Sequence, residues 1–448
     1  MKKKPWEYLR FHKLQMKIEA YGYHYSLSRY IRLLIFGIVI LLVLGWISHL
    51  KLLSICILGI ITVTILPFTI LEQFHHLYAQ QQFQQMVQYM EQMMYSFLKH
   101  SKIVSALEEV ESMSEGKIKE QIAELRMALE GAKSFSYEES FQKMENYYCC
   151  RRLKEMHQFF RNVEELGGPY ETALMAMLED TKLWVERTYI FQKERKQMKK
   201  KILFSMICVL VLTSVLFAVL IRQKEMLVMA DSMAYQTGTT IIYGCFLLLF
   251  FLSQKLLSGK WIQEGKQLSA EQIEKDWKHV KEEPESYPRA AKRLAREVEK
   301  QFPVWLRMVL LRLQTENVYQ AIVESASEVP VVLRDPLQQL IEELKEDPVS
   351  IQPYDHFLKE LPLPQVHSVM KMLYSYTNMG TEEAKNQLLA MMKRNTDLAD
   401  HAERIENEDD VAKYWVLFYI PMFLGTAKIM LDLSMLFLVI FSLWGNLA

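Results

Sequence analysis

The chain has little glycine and little proline. Its 448 residues contain 15 Gly and 13 Pro, about 3% each against a usual 7% and 5%. Tight turns are therefore sparse, which excludes a β-rich, turn-dense architecture and a collagen-like chain. Net charge is also missing: 53 basic and 53 acidic residues cancel, so there is no overall electrostatic footprint for nucleic acid. Cysteine is scarce and odd in number. Cys56, Cys208 and Cys245 lie in apolar runs, and Cys149 and Cys150 are adjacent, so neither a disulfide framework nor zinc spacing is present. What is abundant is helix-forming: Leu, Met, Gln, Glu and Lys, with half of the chain hydrophobic.

The hydrophobic residues are clumped. Leu33 to Leu50 is apolar with only His49 near its end, and Leu52 to Leu71, Ile202 to Ile221 and Thr237 to Ser253 carry no charge. Trp415 to Leu447 is a longer run broken by Lys428 and Asp432. A helix needs roughly 20 apolar residues to cross the ~30 Å hydrocarbon core, so about five transmembrane helices are expected. The first run follows 32 polar or basic residues and ends without a small-residue cleavage site, unlike a signal peptide.

Lys and Arg near the spans set the expected orientation. Residues 1–32 hold eight, the first turn carries only Lys51, residues 193–201 hold six, and the loop 222–236 holds two. The N-terminus and both long polar segments are thus expected in the cytoplasm. In the last run, a single span from about Leu431 preceded by an interfacial helix is preferred, with the C-terminus outside. Two short spans turning near Gly425 are the alternative. Lys428 and Asp432 stand at i, i+4 and can pair on one helix face. An ionisable pair at membrane depth is a functional candidate, although Lys428 can also snorkel and Asp432 pack between helices.

The expected organisation is a cytoplasmic N-terminal helix (1–30), a transmembrane hairpin (31–72), a first cytoplasmic bundle (73–201), a second hairpin (202–258), a charged linker with an exposed helix (259–301), a second bundle (302–414) and a C-terminal transmembrane segment (415–448). Phe83, Met86, Tyr89 or Met90, Met93, Met94 and Phe97, then Ile103, Leu107 and Val110, keep helical spacing, as a core-facing stripe does. Trp305, Met308, Val309, Arg312 and Leu313 mark a similar face. Asp335-Pro336 reads as an N-cap and N1 pair restarting a helix.

The two polar segments look alike, as an internal duplication would make them. Residues 97–109 lie over 312–324 at an offset of 215, and Leu125 and Leu129 answer Leu340 and Leu344. Leu166-Gly167-Gly168-Pro169 lies over Met379-Gly380-Thr381-Glu382, with the glycines 213 apart. Both glycines read as helix stops followed by new N-termini.

These residues resemble the cytoplasmic domain of the type II secretion system F family, and within it the TadB- and TadC-type Flp pilus assembly proteins. Phe83 to Gly116 carries the likeness, with Met90-Glu91-Gln92-Met93-Met94-Tyr95-Ser96-Phe97 and Ile103 to Val110 similar to that domain's first two helices. The family's Gly-Glu-x-Ser-Gly-x-Leu signature is met in part. Glu164 and Gly167 fill the acid and final glycine, Leu174 stands further on, and Val163 replaces the first glycine. In the second segment Gly380 matches and Thr377 stands where the acid belongs. The resemblance implies six-helix bundles that dimerise with themselves or a related platform protein. It also implies an inner-membrane platform that contacts a hexameric secretion ATPase and pilin or pseudopilin subunits.

No chemistry competes with a scaffold reading. There is no Gly-x-x-x-x-Gly-Lys-[Ser/Thr], His-Glu-x-x-His or Gly-x-Ser-x-Gly, so no enzyme, cofactor or metal is expected. His75 and His76 are adjacent, about 100° apart on a helix, and ill-placed for one metal. The acidic run Glu406, Glu408, Asp409, Asp410 reads as a solvated face. The basic run Arg195, Lys196, Lys199, Lys200 and Lys201 reads as a contact for anionic membrane lipid or as a dock for the ATPase. A duplicated multi-pass transporter is the competing class; a membrane-anchored enzyme lacks a converging site, and a receptor lacks external loops long enough for a ligand domain.

Overall fold

A computed structural model describes residues 5–131, 137–167, 170–222, 224–258, 261–262, 268–282, 287–313, 316–377 and 381–445. Among them every regular element is helical and no strand occurs. In chain order the helices are α1 (Phe11–Ala20), α2 (Leu27–Ile47), α3 (Leu52–His100), α4 (Ile103–Met113), α5 (Gly116–Gly131), α6 (Tyr137–Tyr148), α7 (Arg151–Leu166), α8 (Glu171–Leu220), α9 (Lys224–Ala230), α10 (Met233–Leu257), α11 (Ala270–Glu282), α12 (Pro288–Arg312), α13 (Val318–Ser325), α14 (Val331–Glu346), α15 (Gln352–His356), α16 (Pro364–Tyr376) and α17 (Thr381–Gly445). Five stretches are long and apolar enough to cross a membrane: α2, the apolar parts of α3 and α8, α10, and Ala412–Phe441 of α17.

The chain divides into two compact units. One comprises residues 1–82, 189–261 and 409–448, the other 83–188 and 262–408. Boundaries expected at 72/73, 201/202 and 301/302 fall inside α3, α8 and α12. An apolar helix that becomes amphipathic keeps its hydrogen-bond ladder, so no break is needed where the solvent changes.

In the apolar unit, α1 folds onto α3 through Leu14, Ile18, Tyr25 and Ile70, all buried. The other helices close around Leu41, Leu58, Ile202, Met206, Phe246 and Leu249. The C-terminal run is one uninterrupted helix. Neither an interfacial helix before Leu431 nor a turn at Gly425 is present. A Cβ at Gly425 would collide with Val209, and one at Gly238 would lie 2.9 Å from Leu431. Both glycines serve the close approach of α17 to α8 and α10.

In the polar unit, the expected stripe is the core of the first block. Phe83, Met86, Tyr89, Met90, Met93, Met94 and Phe97 of α3 are buried, as are Ile103, Leu107 and Val110 of α4. Phe97 stacks on Phe160 of α7 at 4.4 Å. The second block centres on Trp305, Val309, Ile322, Leu337 and Met370, and the Trp305 indole donates to Ser325 Oγ at 2.9 Å. Met308 and Arg312, placed on the same stripe by spacing, are only half-buried.

Two local expectations fail. Pro336 lies inside α14, which starts at Val331, so Asp335 is not a cap. The charged helix α11 is not simply exposed. It buries Ile273, Asp276, Trp277 and Val280, and the Trp277 indole donates to the Val332 carbonyl at 3.2 Å. A one-sided apolar face is enough to dock a helix whose composition is mostly charged.

Candidate functional site

The two blocks, expected as separate bundles, share one compact unit and meet along a seam of ion pairs. Asp180 of α8 is at its centre. It accepts from Arg152 of α7 and from Arg307 of α12 at 3.0 Å. Arg152 also reaches Glu403 of α17 at 3.1 Å. Arg187 of α8 pairs with Glu403 at 2.9 Å and with Asp400 at 3.1 Å. Arg307 also donates to Glu155, and Arg151 donates to Gln301 at 3.2 Å. Side-chain exposure is 7% for Asp180 and 12% for Arg152. Burial raises the Asp180 pKa, but the guanidiniums of Arg152 and Arg307 outweigh it and hold the carboxyl below the usual aspartate value. These residues stand far apart in sequence with no common spacing, so only packing brings them together.

Glu164 has a definite structural role. From the last turn of α7 its Oε2 accepts the Ile103 N–H at 3.0 Å, capping the first turn of α4, whose own N-cap residue Lys102 offers no side-chain acceptor. A carboxylate at a helix N-terminus also complements the helix dipole. Gly167 closes α7 at φ 71°, and its N–H donates to the Val163 carbonyl at 2.9 Å. That left-handed backbone is why glycine stands there. Gly168 and Gly380 lie outside the described residues.

The basic run is not a uniform surface. Arg195 is buried, stacked over Phe191 at 4.7 Å and Tyr414 at 5.5 Å, and it donates to the Tyr414 hydroxyl at 3.1 Å. Lys199, half-buried, donates to Ser258 Oγ at 2.6 Å. Lys201 sits over the Trp415 ring at 5.5 Å. Only Lys193, Lys196, Lys200 and Lys201 are exposed. A 3.6-residue period turns part of any basic run inward, and here aromatic faces receive the inward cation.

His75 and His76 turn to different partners, Tyr21 and Trp261. In the acidic run, Glu408 pairs with Arg404 one turn away at 3.2 Å, and the side chains of Glu406 and Asp410 lie outside the described residues.

Lys428 and Asp432 do pair, and both are buried, with 2% and 0% of their side chains exposed. The Lys428 ammonium donates to Asp432 and to the Tyr235 hydroxyl, the latter at 3.3 Å. It also lies over the Phe217 and Tyr235 rings at 4.8 and 4.7 Å. Tyr235 donates in turn to the Ser48 carbonyl at 3.1 Å. Snorkelling of Lys428 to an interface is excluded by this burial. No family model, no curated protein and no solved structure matches this chain.

Proposed function

We propose that this protein is a platform of a type II secretion or type IV (Flp/Tad) pilus machine. In this reading it sits in the cytoplasmic membrane with its N-terminus and both helical blocks in the cytoplasm. It couples a hexameric secretion ATPase to the assembly of pilin or pseudopilin subunits by binding, not by catalysis. Its two blocks descend from one duplicated domain.

The observation that carries this reading is a matched order of helices. The polar end of α3 followed by α4, α5, α6, α7 and α8 is answered by α12, α13, α14, α15, α16 and α17. Ile103 and Val318, and Gly116 and Val331, begin corresponding helices 215 residues apart in both cases. That spacing equals the sequence offset of the repeat, and each block follows an apolar hairpin. Helical composition alone does not hold two successive starts at the offset of the sequence repeat.

The test is affinity purification of the full chain from its own cell, with deletion of either block. Recovery of a secretion ATPase with the intact chain and its loss on deletion is the expected result. Recovery that survives both deletions, with pilus assembly intact, sinks the proposal. A transporter is the second reading, favoured by the buried Lys428–Asp432 pair. Loss of solute flux in Lys428→Met with ATPase recovery unchanged would decide for it.

A further inference from the structure

Of the five apolar stretches, only Ala412–Phe441 of α17 carries ionisable groups away from its ends. Leu52 to Leu71 of α3 and Ile202 to Leu220 of α8 are uncharged. In α2, Arg29 and Arg32 lie in the first two turns, and in α10 Lys255 lies in the last. Lys428 stands 16 residues after Ala412, and Asp432 nine before Phe441. At a rise of about 1.5 Å per residue, the pair is at least about 13 Å from either end. Such groups oppose insertion of the helix that bears them. Pairing at i, i+4 meets part of that cost within α17, but it uses only one of the ammonium's donors.

The rest of what surrounds the ammonium comes from other helices. The rings of Phe217 on α8 and Tyr235 on α10 stack on each other at 5.2 Å, and Lys428 lies over both. The Tyr235 hydroxyl accepts from Lys428 and is itself held by donating to the Ser48 carbonyl just past α2. Close contacts bracket the pair along α17. Gly425, three residues before Lys428, meets Val209 of α8. Leu431, one residue before Asp432, lies 2.9 Å from where a Cβ would stand at Gly238 of α10. Met435 and Val439 continue the contact onto Phe217, Met226 and Tyr235. In hydrocarbon an apolar side chain gains little by exchanging lipid for a neighbouring helix, whereas a polar group gains a partner. The seat therefore distinguishes α17 in its place from α17 alone.

We propose that α17 stays across the bilayer only when α8 and α10 are in place to receive it, and that Lys428 with Asp432 is the element that makes its seating conditional. The two stacked rings and the Tyr235 hydroxyl are the seat, and the Lys428 ammonium is what fits it. Without the seat, α17 brings an ammonium with unmet donors into hydrocarbon and leaves the bilayer. The last apolar stretch thereby checks that the second hairpin is complete, a role that an all-apolar helix of the same length would not perform. This inference goes beyond the platform reading and stands without it.

The experiment uses the full chain with a peptide tag at each end, inserted into sealed vesicles and treated with external protease. Five spans place the tags on opposite faces, so one tag is cut and the other protected; four spans place both on the same face. Phe217→Leu with Tyr235→Leu removes the rings and the hydroxyl while keeping both helices apolar. It is expected to lower the fraction of chains with tags on opposite faces at least about twofold, and an unchanged fraction overturns the proposal. Adding Lys428→Leu and Asp432→Leu to that variant is expected to restore the wild-type fraction. Failure to restore it assigns the loss to damaged packing of the hairpin and overturns the role of the pair. Lys428→Asp with Asp432→Lys keeps an ion pair within α17 but moves the ammonium one turn away from the rings. It is expected to lower the fraction as well, and wild-type sidedness in this exchange overturns the seat by showing that pairing within the helix suffices.

Discussion

The first block caps the helix that starts at Ile103 with a carboxylate borrowed from another helix, Glu164 of α7. The second caps the corresponding helix locally: Asn317 Oδ1 accepts the Gln320 N–H at 2.9 Å. Thr377, which stands where the borrowed acid would be, spends its hydroxyl on the Tyr374 carbonyl of its own helix. Lys102 occupies the N-cap position in block one and Asn317 in block two. The two caps satisfy different orphan donors, the first-position amide of Ile103 in block one and the third-position amide of Gln320 in block two. Helix α13 thus has its own cap, and Thr377 signals no defect in block two. The block cores differ in a related way. His157, seventh in α7, is buried, accepts or donates at Glu145 (2.9 Å) and Tyr89 (3.0 Å), and stacks on Phe141 at 4.0 Å. The seventh residue of α16 is Met370, fully buried and apolar. Block one therefore holds a polar node where block two is filled with hydrocarbon.

The largest effect is expected at the seam where the blocks meet. Asp180→Ala leaves Arg152 and Arg307 buried without their shared carboxylate, and should cost about 3–5 kcal/mol. Denaturant unfolding of the full chain, followed by tryptophan fluorescence, measures it. Because the folded Asp180 pKa is depressed, its stabilisation is complete above the unfolded value near ~3.9 and is lost as pH falls through the folded one. As pH falls below about 4, the deficit of Asp180→Ala relative to wild type should therefore shrink toward zero.

A smaller effect separates the two cores by pH. Burial, the larger influence, lowers the His157 pKa below the usual histidine value, although the Glu145 carboxylate pulls it upward. The unfolded chain then binds more protons than the folded one as pH falls below about 6.5, so block one loses stability there. Replacing His157 with Met, the residue block two uses, should flatten that part of the stability profile. An unchanged slope between about pH 7 and about pH 5.5 removes His157 as its origin.

Smallest are the caps. Glu164→Ala should cost about 1 kcal/mol, as should Asn317→Ala, whereas Thr377→Ala should fall within about 0.5 kcal/mol of wild type. The sharpest form is the exchange: Lys102→Asn in the Glu164→Ala background should restore most of the loss, by giving α4 the local cap that α13 has. Amide hydrogen exchange in the first turn of each helix reads the effect directly.

The all-helical class, the five apolar stretches and the core stripe from Phe83 to Val110 were legible because each rests on local composition and period. Gly167 was legible as a helix stop for the same reason. Gly425 was not, because a glycine that ends a helix and one that admits a neighbouring helix look identical until Val209 is placed beside it. The basic run was half legible. Its charge was plain, but the period that turns Arg195 inward matters only once Phe191 and Tyr414 are there to receive it. Glu164 was visible as a distinctive acid, and its cap on Ile103 could not be read across a separation of 61 positions.

Sequence alone thus determined which stretches leave water and which remain in it, since hydrophobicity and helical period are properties of neighbouring residues. It also determined that Lys428 and Asp432 lie on one helix face. Tertiary structure alone decided what surrounds them: Tyr235, Phe217 and Ser48 come from three other segments. It likewise decided that both blocks join in one unit through Asp180. Burial and ion pairing at a distance depend on which helices meet, and that choice is made by the shape and volume of packed side chains rather than by local order along the chain.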